Sequence, residues 1–129
     1  MKSKVLIVDD HKMYRDGLKT LINLQKDMMV VGEAENGQEA IARTRELRPD
    51  IILMDVKMPV MDGVEATRRI LAEMPGTKIL ALSMYSDDGF MSGMRRAGAL
   101  GYILKGSDFD ELSGAIRRAA GSGDAGSAE

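Results

Sequence analysis

Four short apolar runs divide the chain: Val5-Leu6-Ile7-Val8, Met28-Met29-Val30-Val31, Ile51-Ile52-Leu53-Met54 and Ile79-Leu80-Ala81-Leu82. A weaker fifth is Tyr102-Ile103-Leu104. They do not alternate apolar with polar, which is how strands covered on both faces read. A sheet buried on both sides needs helices above and below it.

The intervening segments supply those helices. Tyr14, Leu18, Leu21 and Ile22 follow i, i+4, i+7, i+8. Ala40, Ile41, Thr44 and Leu47 form a second stripe, Thr67, Ile70, Leu71 and Met74 a third, and Leu112, Ala115, Ile116 and Ala119 the last. Asn36 with Glu39, Asp62 with Glu65 and Asp108 with Glu111 are spaced as capping boxes. Gly98 and Gly121 suit C′ positions. The weakest helix falls at 86–97, where Gly89 and Gly93 each cost about 1 kcal/mol relative to Ala; it is expected to be mobile. The order is (βα)₅. That predicts an α/β fold, doubly wound, with a parallel five-stranded sheet in the order 2-1-3-4-5 and right-handed crossovers. Residues 1–120 are expected to form one domain. The last nine residues, GSGDAGSAE (121–129), read as a flexible linker or an engineered end.

Composition excludes several function classes. The chain has 129 residues, enough for one ordinary core. No apolar run approaches the ~20 residues that cross a bilayer, so no membrane role is expected. Acids follow the first apolar run at once, which rules out a signal peptide there. A net charge of −2 gives no field for non-specific nucleic-acid binding by this domain. Cysteine is absent, which fits a reducing compartment, and the 11 methionines suit core gaps.

In such a sheet ligands bind at the carboxyl ends of the strands. Strand one ends in Asp9-Asp10, strand three in Asp55, strand four in Ser83, and Lys105 follows strand five. Each alone is ordinary: strand ends carry solvated acids, and a lone lysine after a strand is usually on the surface. Together they fall on one sheet edge. Clustered carboxylates raise one another's pKa values unless a cation compensates, and an all-oxygen site suits Mg²⁺, with Mn²⁺ also possible. A carboxylate nucleophile, a hydroxyl and an ammonium complete the parts for phosphoryl transfer. His11 is the only histidine; an exposed residue at a helix start is preferred over a metal ligand. Tyr102 reads as partly buried.

Four stretches, VLIVDD (5–10), DIILMDVKMPVMDG (50–63), ALS (81–83) and AGALGYILKG (97–106), resemble the receiver domain of two-component response regulators. The resemblance spans about residues 3–120. DDHKMYRDGL (9–18) and VVGEAENGQEA (30–40) are similar to the NarL-like subclass that precedes LuxR-type helix-turn-helix domains. The resemblance implies a flavodoxin-like, CheY-like fold and a phosphorylation-controlled switch that catalyses only its own phosphorylation and dephosphorylation, in the cytoplasm. It implies Asp55 as phosphoacceptor and Asp9, Asp10, Asp55 and the Lys57 carbonyl as Mg²⁺ ligands. Ser83 and Lys105 would hold the phosphoryl group, with Ser83 and Tyr102 as the switch and the surface around 83–106 as its readout. A sensor histidine kinase as donor, a homodimer when phosphorylated, and DNA reached through a C-terminal helix-turn-helix domain of a longer parent are further implications. Gly106 stands where many receivers have a proline after a cis bond. Lys57 and Tyr85 lie two residues after Asp55 and Ser83, and are expected to overhang the phosphoryl group and slow its hydrolysis.

Three other readings are disfavoured. A haloacid-dehalogenase phosphatase needs D-x-D-x-T, against DVKMP here. A flavodoxin-type FMN carrier needs a Ser/Thr/Gly-rich loop after strand one, where Asp9-Asp10-His11 stands. A degenerate interaction module is at odds with the intact acid set.

Overall fold

A computed structural model describes residues 2–84 and 88–128, with no side-chain detail for Asp88 or for 122–128. Five strands alternate with five helices: β1 (Ser3–Val8), α1 (Lys12–Asn23), β2 (Met28–Ala34), α2 (Gly37–Leu47), β3 (Ile51–Asp55), α3 (Gly63–Glu73), β4 (Lys78–Ser83), α4 (Asp88–Ala97), β5 (Gly101–Leu104) and α5 (Phe109–Ala128). All pairings are parallel, in the order β2-β1-β3-β4-β5. Fold class and strand order are those expected from the apolar runs.

Strand parity divides the core in two. Val5, Ile7, Ile51, Leu53, Leu80 and Leu82 pack with α1 and α5. Leu6, Val8, Ile52, Met54, Ile79 and Ala81 pack with α2, α3 and α4. Both faces of every central strand are therefore apolar, which is why the runs do not alternate. β2 breaks the parity. Its register shifts between Val5↔Val30 and Leu6↔Gly32, leaving Val31 as a bulge. Met28 and Val30 face the first cluster, whereas Ala34 faces the second. Glu33 is thereby turned to the α1 side.

The N-cap half of each expected capping box forms: Asn36, Asp62 and Asp108 each accept from the backbone N–H three residues on, at 2.9 Å, whereas Glu39 accepts from the Glu35 N–H and Glu65 from Arg68 and Arg69. Gly98 has φ +115 and its N–H reaches the Met94 carbonyl at 3.1 Å, a left-handed C′ residue. Two expectations need correction. Leu21 is exposed, because it falls at the margin of the α1 stripe; with Met13 and Phe109 it borders a groove of about 300 Å³. Arg15 is buried instead. Gly121 is not a C′ residue: its φ is not positive and α5 continues to Ala128. An interior glycine weakens a helix without ending it. The peptide bonds of the described residues are all trans, including Lys105-Gly106. No described helix is long and apolar enough to cross a membrane.

A carboxylate cluster at the strand ends

The acids meet where the strands end. Asp55 is the last residue of β3, and its neighbour β1 delivers Asp9 and Asp10 in the two positions beyond its own end. Ligand atoms from Asp9, Asp10, His11 and Asp55 all lie within 4.8 Å of one another. Asp9 is 1 % exposed and Asp55 5 %. Lys105 reaches over from the end of β5, with Nζ 2.5 Å from Asp9 Oδ2 and 3.4 Å from Asp55 Oδ2. Its N–H donates to the Ser83 carbonyl at 2.8 Å, which ties the β5 end to the β4 end. A lysine expected at the surface on composition alone is thus drawn inside by two carboxylates.

One cation does not balance three acids. Burial lifts the Asp55 carboxyl, and the Asp9 charge lifts it further; Lys105 opposes this, and the pKa stands at about 6. The Tyr14 hydroxyl is pushed up to about 12, first by burial and then by the Asp9 and Asp55 charges. The Tyr14 ring lies 4.8 Å from Lys105 Nζ, a cation–π contact on the far side of the lysine. Asp9 Oδ2 and Asp10 Oδ1 are buried without a hydrogen-bond partner; the close Lys105–Asp9 contact is an ion pair without hydrogen-bond alignment. Orphaned carboxylate oxygens in an all-oxygen donor set fit a hard divalent cation.

The other expected residues are placed as follows. Ser83 closes β4 and is 1 % exposed. Tyr102 is half-buried against the cluster that holds Met54, Ala81 and Met94. His11 is the N-cap of α1, with an exposed ring whose Nδ1 lies 3.2 Å from carboxylate oxygens of both Asp9 and Asp10. Lys57 is exposed, and its Nζ lies 6.0 Å from the Phe90 ring centroid on α4. Tyr85 lies outside the described residues.

Two features near the site were not anticipated. Gly63 N–H donates to the Val56 carbonyl at 2.7 Å, and a Cβ on Gly63 would meet the Asp55 carbonyl oxygen. The Asp62-Gly63 pair therefore turns the chain tightly against the acid it follows. Within the same loop, Met61 N–H reaches the Pro59 carbonyl at 2.7 Å across Val60, whose φ is +70. This is a γ-turn of the strained, positive-φ kind, centred on a β-branched residue. The second feature is Arg15, buried on α1 with Nη1 2.6 Å from the Asp9 carbonyl. An arginine one position after Tyr14 in the apolar stripe was the available signal.

A (βα)₅ sheet that gathers buried acids, a hydroxyl and an ammonium at its strand ends is the architecture of a receiver domain. The chain belongs to the response regulator receiver domain family, which it matches over residues 5–117. It is 43 % identical to response regulator GacA of Pseudomonas syringae pv. syringae over 88 % of this chain and 53 % of that protein. To the transcriptional regulatory protein LiaR of Bacillus subtilis it is 45 % identical, over 90 % of this chain and 55 % of that one. The chain spans about half the length of these curated relatives. A LuxR-family two-component response regulator from Aurantimonas sp. SI85-9A1 superposes with a TM-score of 0.90 at 36 % identity, covering 95 % of this chain and 87 % of that one. The NarL/LuxR-type relationship agrees with the resemblance in the first two helices and strands.

Proposed function

We propose that this chain is a phosphorylation-controlled switch in which Asp55 accepts a phosphoryl group from a sensor histidine kinase, with Mg²⁺ present. The carrying observation is the trio Asp9, Asp10 and Asp55 at one edge of the sheet, with Asp9 and Asp55 buried and bridged by Lys105. Asp9, Asp10, Asp55 and the Lys57 carbonyl would hold Mg²⁺ (or Mn²⁺). When bound, the cation neutralises charge on the carboxylates and on the phosphoryl oxygens. An Asp55 carboxylate oxygen attacks phosphorus in line. A P–O bond forms to Asp55, the P–N bond to the donor imidazole breaks, and its electron pair leaves with the ring. Lys105 then exchanges part of its contact with Asp9 and Asp55 for a phosphoryl oxygen, and the Ser83 hydroxyl donates to another.

Moving Ser83 toward Asp55 vacates space behind β4, which favours an inward Tyr102 and shifts α4. This is a population shift between two states. The altered surface at 83–106 would control a homodimer and, through a C-terminal helix-turn-helix domain of a longer parent, DNA. The relatives' printed names, as response and transcriptional regulators, support this output.

The test is mass spectrometry after incubation with acetyl phosphate. Wild type should gain one phosphoryl group with Mg²⁺ and none with EDTA. The same gain in Asp55→Asn would refute the assignment. Hydrogen exchange on the beryllofluoride form should change most within 83–106; changes confined to α1 and α2 would argue against this route.

A further inference from the structure

We infer that Arg15 is a positioning residue for the cation-binding side of this site, acting by clamping the Asp9 main chain. The inference rests on the Mg²⁺-dependent reading above. Arg15 lies on the apolar stripe of α1 beside Tyr14 and Leu18, and is 8 % exposed. A guanidinium is buried there only with partners, since an unpaired buried charge costs several kcal/mol. It has two. Nη1 donates to the Asp9 carbonyl at 2.6 Å, and Nε donates to Glu33 Oε1 at 2.9 Å. The Val31 bulge in β2 brings Glu33 within reach of α1. Lys19 Nζ donates to the other Glu33 oxygen at 2.9 Å and completes the support.

The clamp adds to the contacts that hold Asp9. Its N–H donates to the Ala34 carbonyl at 3.0 Å. Its Oδ1 accepts from the His11 N–H at 2.8 Å, and Lys105 lies against Oδ2. The carbonyl held by Arg15 belongs to the peptide unit that leads into Asp10. Fixing that plane fixes the backbone from which both the Asp9 and the Asp10 side chains leave. Partners one step behind the ligands commonly set metal affinity in this way.

The sign of the effect separates this role from simple electrostatics. Removing a positive charge near a cation site should, by Coulomb's law, tighten cation binding. Removing a positioning contact should weaken it. The experiment measures Mg²⁺ binding by calorimetry, with no phosphodonor, for wild type, Arg15→Ala, Arg15→Lys and Lys19→Ala. Circular dichroism verifies the fold of each. Arg15→Ala should bind Mg²⁺ about 10-fold more weakly. Arg15→Lys, which keeps the charge and loses the fork, should lie between it and wild type. Lys19→Ala, which touches Glu33 but not Asp9, should stay within about twofold of wild type. Unchanged or tighter Mg²⁺ binding by Arg15→Ala would overturn the inference. Were that variant unfolded, Arg15→Lys decides alone: about 3-fold weaker binding supports the clamp, and unaltered binding refutes it. Absence of Mg²⁺ binding by wild type would instead refute the underlying reading, and the inference with it.

Discussion

Replacing Asp55 with Asn should stabilise the fold, and the gain should depend on pH. Asp55 ends β3 at 5 % exposure, beside Asp9. Its pKa rises from 3.8 to about 6, chiefly through burial and then through the Asp9 charge, with Lys105 only partly compensating. In the unfolded chain it ionises near the ordinary value. Below that value both states are protonated and Asp55 costs nothing. As pH rises between the two values, the unfolded state gives up its proton first and the fold loses stability. Above about 6 the cost is complete. A shift of this size corresponds to about 3 kcal/mol at 1.36 kcal/mol per unit. Side-chain relaxation and water penetration reduce what is measured, so the expected gain for Asp55→Asn is about 1–3 kcal/mol near pH 8. Near pH 5 it should be roughly half as large.

Urea denaturation of both proteins in EDTA, at these two pH values, measures the difference directly. Millimolar Mg²⁺ should then raise the wild-type midpoint more than the variant's and narrow the gap, because a ligand of the folded state stabilises it by mass action. A variant no more stable than wild type near pH 8, or a gap independent of pH, would show that Asp55 is not electrostatically strained.

Three further outcomes are expected. Val60→Gly relieves a positive-φ β-branched residue and should stabilise the fold by about 0.5–2 kcal/mol in the same urea assay, net of the glycine's greater unfolded-state freedom; a loss of stability would mean that the turn is not strained. Gly63→Ala drives a Cβ against the Asp55 carbonyl and should cost more than about 2 kcal/mol while also slowing phosphoryl uptake; wild-type values for both would show that the loop yields freely. Lys57→Asn and Tyr85→Ala should each shorten the lifetime of phosphorylated protein after donor removal, by about 3–30-fold for Lys57→Asn, equivalent to roughly 0.7–2 kcal/mol of barrier; decay curves that superpose on wild type would show that neither side chain screens the attacking water.

The fold was legible because its core is binary: consecutive apolar positions mark strands covered twice, and i, i+4 stripes mark the covering helices. The caps at Asn36, Asp62 and Asp108 were legible because capping is a contact three residues apart. What stayed hidden depends on register or on backbone angles. The bulge at Val31 changes which β2 residues face α1, and no local pattern announces it. The Arg15–Glu33 pair follows from that bulge and joins residues 18 apart. The γ-turn at Val60 runs against local propensity, so propensity could not reveal it. The acids could be named from their strand-end positions alone, because a parallel sheet places every strand end on one edge; that Lys105 is buried among them required the packing.

Several departures from good local chemistry lie close to Asp55. The acids outnumber their buried cation, two carboxylate oxygens lack hydrogen-bond partners, and Val60 holds a positive φ in the loop that follows. Elsewhere the buried polar groups are few and small apart from the paired Arg15, and the other positive-φ non-glycine, Arg48, lies at the C-cap of α2. Such a distribution is unfavourable for a domain whose only task is to stay folded, since each departure lowers stability. It suits a domain with a ligand-dependent equilibrium. Under the proposed function, a bound cation supplies positive charge to the acids, and a phosphoryl group, which adds negative charge, draws in that cation, Lys105 and Ser83 as its partners. The free energy released where the folded state is least satisfied is then available to shift the positions of β4, α4 and β5. A ligand can move an equilibrium only by its difference in affinity between the states. An apolar strand edge would leave phosphorylation little to change, whereas here the added negative charge recruits Lys105, Ser83 and the cation, and only the state in which they reach it gains that energy.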